Sequence, residues 1–353
     1  MNYLAYLHSI WITQSKLSTI FENNYDYKRF YENLSHKTLW KYYSKTQDIE
    51  KILDTKSKFN QKIIDINIKN LWVKFITIND NAYPKWLKQI SNPPYFLYVR
   101  WTLENIWECL SIVGSRKNTT YSKKVASSII PELVPYFTIV SGGAWGCDTL
   151  AHQITVETKW KTLVVFWTWI DITYPSGNRE LFEKVIENKW ALISIFPIWT
   201  PGGAYTFPVR NQIVAGISKW LLVLEAGESS GTLITANLAL DYSRDVFCIP
   251  GDIFNPNYVW TNNLIKTWTA KLITKSDDIL EEYNFKVISK EKEVVFNNEI
   301  EGQIYNLLKY NLSLSIDELI EKTWMSYGEL SLNLSMMELW GLIKKDIFGK
   351  YEI

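Results

Sequence analysis

Glycine is scarce in this chain: there are 15 in 353 residues, fewer than the 17 tryptophans, whereas glycine usually makes up about 7% of a protein. Cysteine is scarcer still. Cys109, Cys147 and Cys248 are odd in number and lack metal or redox spacing, so they read as small buried thiols of a reducing compartment. His8, His36 and His152 are scattered, which argues against a metal centre or a histidine-based catalytic set. Nothing calls for a cofactor. No apolar run reaches the roughly 18 residues of a membrane span, and the start, MNYLAYLHSIWITQSK, has neither a basic onset nor a small-residue cleavage site. A cytoplasmic setting with no membrane partner is expected. An excess of one charge is also missing: 38 Lys and Arg face 37 Asp and Glu, so any nucleic-acid site must be a local basic patch.

What is present is apolar residue, 47% of the chain, enough for a large core in two or three domains. Up to about residue 66, apolar positions such as Leu4, Leu7, Leu17, Ile20 and Phe21 fall at helical spacing, which predicts a small helical N-terminal domain over 1–66. From 67 to 286 the short runs LSIVG, FTIVSGG, TLVVF, ALISIF, LLVLEA and VFCIPG alternate with segments of helical period. This predicts an α/β fold, an extended Rossmann-like, doubly wound and mostly parallel sheet. Residues 287–298 are polar and read as a linker. Helical segments at about 301–309, 315–322 and 326–342, followed by the hairpin-like LIKKDIFGKYEI, predict a winged-helix domain over 299–353.

Ligands of an open parallel sheet bind beyond the carboxyl ends of its strands, so the residues after each run are the candidates. Gly114, Ser115 and Arg116 combine close backbone approach, a hydroxyl donor and a planar fork suited to phosphate. Ser141, Gly142 and Gly143 have the shape of an anion cradle; the acid that follows, Asp148, either caps its helix or meets an arginine. Phe207, Arg210 and Asn211 would place a ring beside charged and amide groups, as stacking on unpaired bases requires. The plainer alternative makes Phe207 a core plug and pairs Arg210 with a carboxylate. Ser230, Gly231 and Thr232 form either a further anion site or an ordinary serine cap, and Glu225 is either an acid or a buried partner of arginine.

Taken in order, IVGSR, SGGAWGCDTLAH, YPSGN, FPVRNQIVAGIS, LVLEAGESSGTLITANLA and VFCIPGD resemble the motifs of the DNA-processing protein DprA (Smf) family over about residues 68–275. The resemblance implies a non-enzymatic, cofactor-free protein of natural transformation and DNA uptake. Such a protein binds and protects incoming single-stranded DNA, displaces single-strand-binding protein and loads the RecA recombinase. It also implies a homodimer through the Rossmann-like domain, a helix-hairpin-helix or SAM-like N-terminal domain, and Arg116, Arg210 and Asn211 as leading DNA contacts. An alternative is a nucleotide-binding phosphoribohydrolase-like enzyme of a related α/β fold, since PGGAY at 201–205 superficially matches part of that signature; Glu225, however, precedes its glycines. A duplex-reading role for 299–353 fits poorly, because SYGELSLNLSMMELWGLIKK lacks arginine and carries Glu329 and Glu338.

The family pattern favours glycine at Trp101, Trp160, Trp167, Trp169, Trp190, Trp260 and Trp268. A turn that needs φ > 0 accepts glycine and resists a large side chain. Tryptophan and glycine together amount to about 9% of the chain, near a normal share for glycine alone. Many of these residues are therefore expected to be glycines in the living protein, encoded by UGA, with strained or displaced loops at 167–169 and 260–268 in the literal chain. The other reading is a Trp-rich protein with stacking platforms for bases.

Overall fold

The six apolar runs become strands of a nine-stranded sheet. The computed structural model describes residues 2–22, 26–104, 106, 108–227, 230–285, 296, 298–311, 313–346 and 349–352. The chain divides into two compact units, Met1–Val287 and Ile288–Ile353.

The first unit opens with helices α1 (Asn2–Ser9), α2 (Gln14–Ile20), α3 (Tyr27–Glu32), α4 (His36–Leu39), α5 (Thr46–Lys58) and α6 (Gln61–Asn70). Thr13, Asp26, Ser35 and Asn60 each accept a backbone N–H at a helix start, which fixes where α2, α3, α4 and α6 begin. β1 (Val73–Thr77) and β2 (Phe96–Arg100) follow, an antiparallel pair at one sheet edge that the sequence reading did not anticipate. Strands and helices then alternate: β3 (Cys109–Val113), α7 (Thr120–Leu133), β4 (Thr138–Ser141), α8 (Cys147–Glu157), β5 (Thr162–Val165), α9 (Arg179–Glu187), β6 (Ala191–Ser194) and α10 (Thr206–Ile217). The series continues with β7 (Trp220–Val223), α11 (Gly231–Asp241), β8 (Asp245–Cys248), α12 (Val259–Lys266), β9 (Lys271–Leu272) and α13 (Asp277–Leu280).

Strand order is β1-β2-β6-β5-β4-β3-β7-β8-β9, parallel from β6 through β9, with β2 antiparallel to β6. The fold is α/β and Rossmann-like with a helical N-terminal region, as the alternating runs predicted. Both faces of the central strands are buried: Leu110 and Ile112 of β3 join one apolar cluster, Cys109 and Val113 another. That is why these strands read as continuous apolar runs. A further cluster unites Leu4, Leu7, Ile49 and Ile64 of the N-terminal helices with Phe96, Tyr98 and Val164 of the sheet. Residues 1–66 thus share a core with the α/β region.

The second unit packs α14 (Glu299–Asn311), α15 (Ile316–Thr323) and α16 (Tyr327–Leu339) around Ile304, Leu308, Leu319, Leu330, Leu334 and Met337, beside the antiparallel pair β10 (Lys344–Lys345) and β11 (Tyr351–Glu352). The expected linker at 287–298 lies, apart from 296 and 298, outside the described residues. Among the described residues no helix is long and apolar enough to cross a membrane. Nor is any group of three or more His, Cys, Asp or Glu placed to hold a metal ion.

Of the tryptophans expected in glycine-type turns, Trp101 (φ 79) and Trp268 (φ 61) have left-handed backbone, whereas Trp160, Trp167, Trp169, Trp190 and Trp260 do not. Beside Trp160 and Trp190 the left-handed residue is the lysine before, Lys159 or Lys189. At 167–169 the burden is polar instead of conformational. The indole N–H groups of Trp167 and Trp169 are buried without a hydrogen-bond partner, at a cost of about 1–3 kcal/mol each.

Burial pushes the imidazoles of His8 and His152 down to about 3. Each is held neutral, His8 Nδ1 lying 3.0 Å from the Tyr98 hydroxyl and His152 Nδ1 2.7 Å from Thr162 Oγ1. Unfolded histidine takes up its proton near pH 6.5, so this contribution to stability is complete above that pH and is lost as pH falls toward 3. The loss approaches about 1.4 kcal/mol per pH unit for each ring. Denaturant unfolding at pH 7 and pH 5 should show the loss, and His152→Gln should shrink it; an undiminished loss in that variant would assign the effect to other groups.

Candidate nucleic-acid interface

Strand order reverses beside β3. The chain fills the sheet from β3 through β4 and β5 to β6, then returns to β7 on the other side of β3. At such a switch point the loops leaving adjacent strands part, and the crevice between them is where ligands settle. Here it is a cleft of about 690 Å3. Gly114, Ser115, Arg116 and Lys117 line it after β3, Ala144 and Asp148 after β4, Phe207, Arg210 and Asn211 from the first turns of α10, and Ser230, Gly231 and Thr232 at the start of α11. Pro256 and Asn257, which the sequence reading did not single out, complete the wall near α12. Ser141, Gly142 and Gly143 are not part of this lining.

Arg210 is buried, with Nη1 3.5 Å from Asp148 Oδ2. Asp148 also accepts the Ala144 N–H at 3.3 Å, and α8 has no side-chain cap, so of the two roles open to this acid the arginine partner is the one observed. Burial pushes the guanidinium down from its ordinary value and Asp148 opposes that; burial pushes the Asp148 carboxyl up and Arg210 opposes that. The plainer reading of Arg210, pairing with a carboxylate, is thus realised even though the residue edges the cleft. Gly142 explains the geometry: a Cβ there would lie 1.1 Å from Arg210 Nη1, so this glycine is the seat of the guanidinium and not an anion cradle. Ser141 donates to the Ile112 carbonyl at 2.6 Å, and the Gly143 carbonyl accepts from Asn178 Nδ2 at 3.1 Å, so both act in the wall behind the cleft.

Arg116, in contrast, is exposed. Its Cζ stands 4.4 Å from the centroid of the Phe207 ring, and Arg210 Cζ stands 5.0 Å from the same centroid. The Arg116 contact, at an exposed site, is worth about 0.5–1 kcal/mol. Phe207 is half-buried, and the edge of Trp167 meets it at 5.6 Å. The loop bearing Arg116 is tied down by backbone: Ser115 N–H donates to the Glu225 carbonyl and Cys147 N–H to the Ser115 carbonyl, each at 3.1 Å. Gly146, at φ 81, permits that second approach, since a Cβ there would come within 2.2 Å of the Ser115 oxygen.

Glu225 is fully buried and acts neither as a free acid nor as a partner of arginine. Its Oε2 accepts from Thr119 N–H at 3.1 Å, Thr119 Oγ1 at 2.8 Å and the Tyr258 hydroxyl at 2.9 Å. Sequence reasoning missed this hub because its members lie on three loops. Ser230 caps α11 by accepting the Thr232 N–H at 3.2 Å, and Asn211 Nδ2 donates to the Gly231 carbonyl at 3.4 Å, tying α10 to α11. The outcome is a cleft rich in donors, with the exposed Arg116 and Lys117, the start of α11 and a ring between two guanidiniums. Its one acid among the described residues, Asp148, is already paired. Such a surface suits a polyanion with flat, stackable groups.

Fold and cleft define a class: an extended Rossmann-like protein with a donor-rich crevice at its switch point. Residues 74–284 match the family described as DNA recombination-mediator protein A. The chain is 35% identical to DNA processing protein DprA of Bacillus subtilis over 213 residues, covering 60% of this chain and 71% of the relative. It is 34% identical to its Streptococcus pneumoniae counterpart over 227 residues, covering 64% and 80%. The crystal structure of the Streptococcus pneumoniae protein superposes with a TM-score of 0.70 at 27% identity, covering 81% of this chain and 99% of that one. A structure of DNA processing protein A from Helicobacter pylori, solved in a study of its single-stranded DNA binding mode, superposes with a TM-score of 0.54 at 24% identity, covering 59% and 95%. The chain belongs to the DNA-processing protein DprA (Smf) family.

Removing Asp148 would strand a buried guanidinium. Asp148→Ala should destabilise the protein by about 3–5 kcal/mol, whereas the double replacement Asp148→Leu, Arg210→Met should cost much less. Denaturant unfolding of both variants checks this; equal losses would mean that the pair is not the source.

Proposed function

We propose that this cleft binds single-stranded DNA without catalysis, within DNA uptake and natural transformation, and that the protein passes the strand to the RecA recombinase while displacing single-strand-binding protein. The observation that carries the reading is the exposed Arg116 guanidinium against Phe207 beside the start of α11. It offers a phosphate contact next to a ring on which a base can stack. The family description as a recombination mediator supports the RecA step, and the DNA-binding study of the Helicobacter pylori protein supports the ligand. In this reading Gly114, Ser115, Ser230, Gly231 and Thr232 present backbone and hydroxyl donors to phosphate. Ser141, Gly142, Gly143, Arg210 and Asn211 hold the cleft in shape.

The proposal extends to a cytoplasmic homodimer joined through the Rossmann-like domain, with 1–66 as a helical module and 299–353 as a winged helix whose role is secondary. The phosphoribohydrolase-like alternative loses ground because the Glu225 carboxylate is buried with Thr119 and Tyr258 and does not line the cleft.

Arg116→Ala should weaken oligo-dT binding and lower the slope of log affinity against log salt by about one. Fluorescence titration across a salt series measures both. Unchanged affinity and slope would remove Arg116 from the interface. A chain lacking 299–353 should keep most of its single-strand affinity in the same titration, and complete loss would move the site to that segment.

A further inference from the structure

We propose that residues 11, 72, 101, 199, 268 and 324 are glycines in the functional protein, each encoded by a UGA codon read as glycine. Among the described residues, ten non-glycine residues have positive φ, and six of them are tryptophans: Trp11 (75), Trp72 (54), Trp101 (79), Trp199 (63), Trp268 (61) and Trp324 (58). Tryptophan supplies only 17 of the 353 residues, so the left-handed region draws it far beyond its share. Physics disfavours it there. A Cβ in this region crowds the following carbonyl, and the residues that tolerate it best, Asn and Asp, do so through short side chains that hydrogen-bond locally. The indole has no such compensation.

Packing does not explain the choice. Trp268 is 94% exposed and Trp324 92%, and Trp11, Trp72 and Trp199 are exposed as well. What Trp11, Trp268 and Trp324 share is a glycine's task at a helix end. At the end of α16, Gly341 (φ 69) donates its N–H to the Glu338 carbonyl while Leu342 donates to Met337, closing the helix in a Schellman turn. Trp268 and Thr269 repeat this closure onto Ile265 and Leu264, and Trp11 and Ile12 onto His8 and Leu7. Trp324 makes the simpler left-handed closure, donating to the Ile320 carbonyl at 2.8 Å. In these turns tryptophan and glycine are interchangeable in backbone geometry, although only glycine adopts it without penalty.

One codon change accounts for both compositional anomalies. UGA differs by a single base from the tryptophan codon UGG and from the glycine codon GGA; translating it as tryptophan inflates that residue and depletes glycine by the same number. The inference is independent of the proposed single-strand binding. It carries a consequence for the gene: in a host that stops at UGA, synthesis ends after Ile10.

The test has two parts. The first reads the six codons and the mass of the tryptic peptide Asn70–Lys74 from protein made in the native cell; UGA codons and a glycine mass at 72 are expected. The second compares melting of the literal chain with a variant carrying Trp→Gly at all six positions. A rise of about 2–4 °C per site is expected, with no rise for Trp40→Gly, a residue that is equally exposed but has φ −57. UGG codons at these positions, or a six-site variant that melts no higher than the literal chain, overturns the inference.

Discussion

A buried charge sets the shape of the cleft. The Arg210 guanidinium lies at the switch point, paired with Asp148 and seated over Gly142. Because neither charge can be left alone in that interior, the first turns of α10 and α8 are fixed relative to each other. Phe207, three residues before Arg210 and stacked on it, is fixed in turn, and so becomes the platform on which the exposed Arg116 rests. The two arginines share one ring but divide the work, one holding the wall and the other facing solvent.

The opposite wall depends on Glu225. Its carboxylate gathers Thr119 from the start of α7 and Tyr258 from the start of α12, and its backbone oxygen receives Ser115. The loop carrying Arg116 is therefore anchored at both ends to the strand end across the switch point. Preorganisation of this kind reduces the ordering cost of binding a flexible strand. Among the described residues of the region, the acids Asp148 and Glu225 are both engaged by the scaffold, Asp148 by Arg210 and Glu225 by Thr119 and Tyr258.

Much of this was legible in the sequence, for identifiable reasons. Strands buried on both faces leave continuous apolar runs, so the parallel core was readable; β2 has such a run, Phe96–Val99, but no α-helix separates it from β1, so this antiparallel pair falls outside the strand–helix alternation and was missed. The loops after β3 and at the starts of α10 and α11 were singled out because glycines and hydroxyls cluster at strand ends, and the structure places them around one cleft. The depth of Arg210 was less apparent. Its spacing to Ile213, Val214 and Ile217 does put it on the buried face of α10, a helical signal outweighed by the charge of the residue. The Glu225 hub joins residues more than a hundred positions apart and has no local signature. For the tryptophans, motif comparison found Trp101 and Trp268, but the other four left-handed positions became visible only as dihedral angles.

The account stands or falls on where an unpaired strand lies. Ultraviolet cross-linking of oligo-dT to the full chain, followed by mass-spectrometric mapping of the modified peptides, tests this directly. The structure predicts adducts at Phe207 and in the loop from Gly114 to Lys117. Adducts confined to residues 299–353, with the switch-point cleft unmodified, would contradict it.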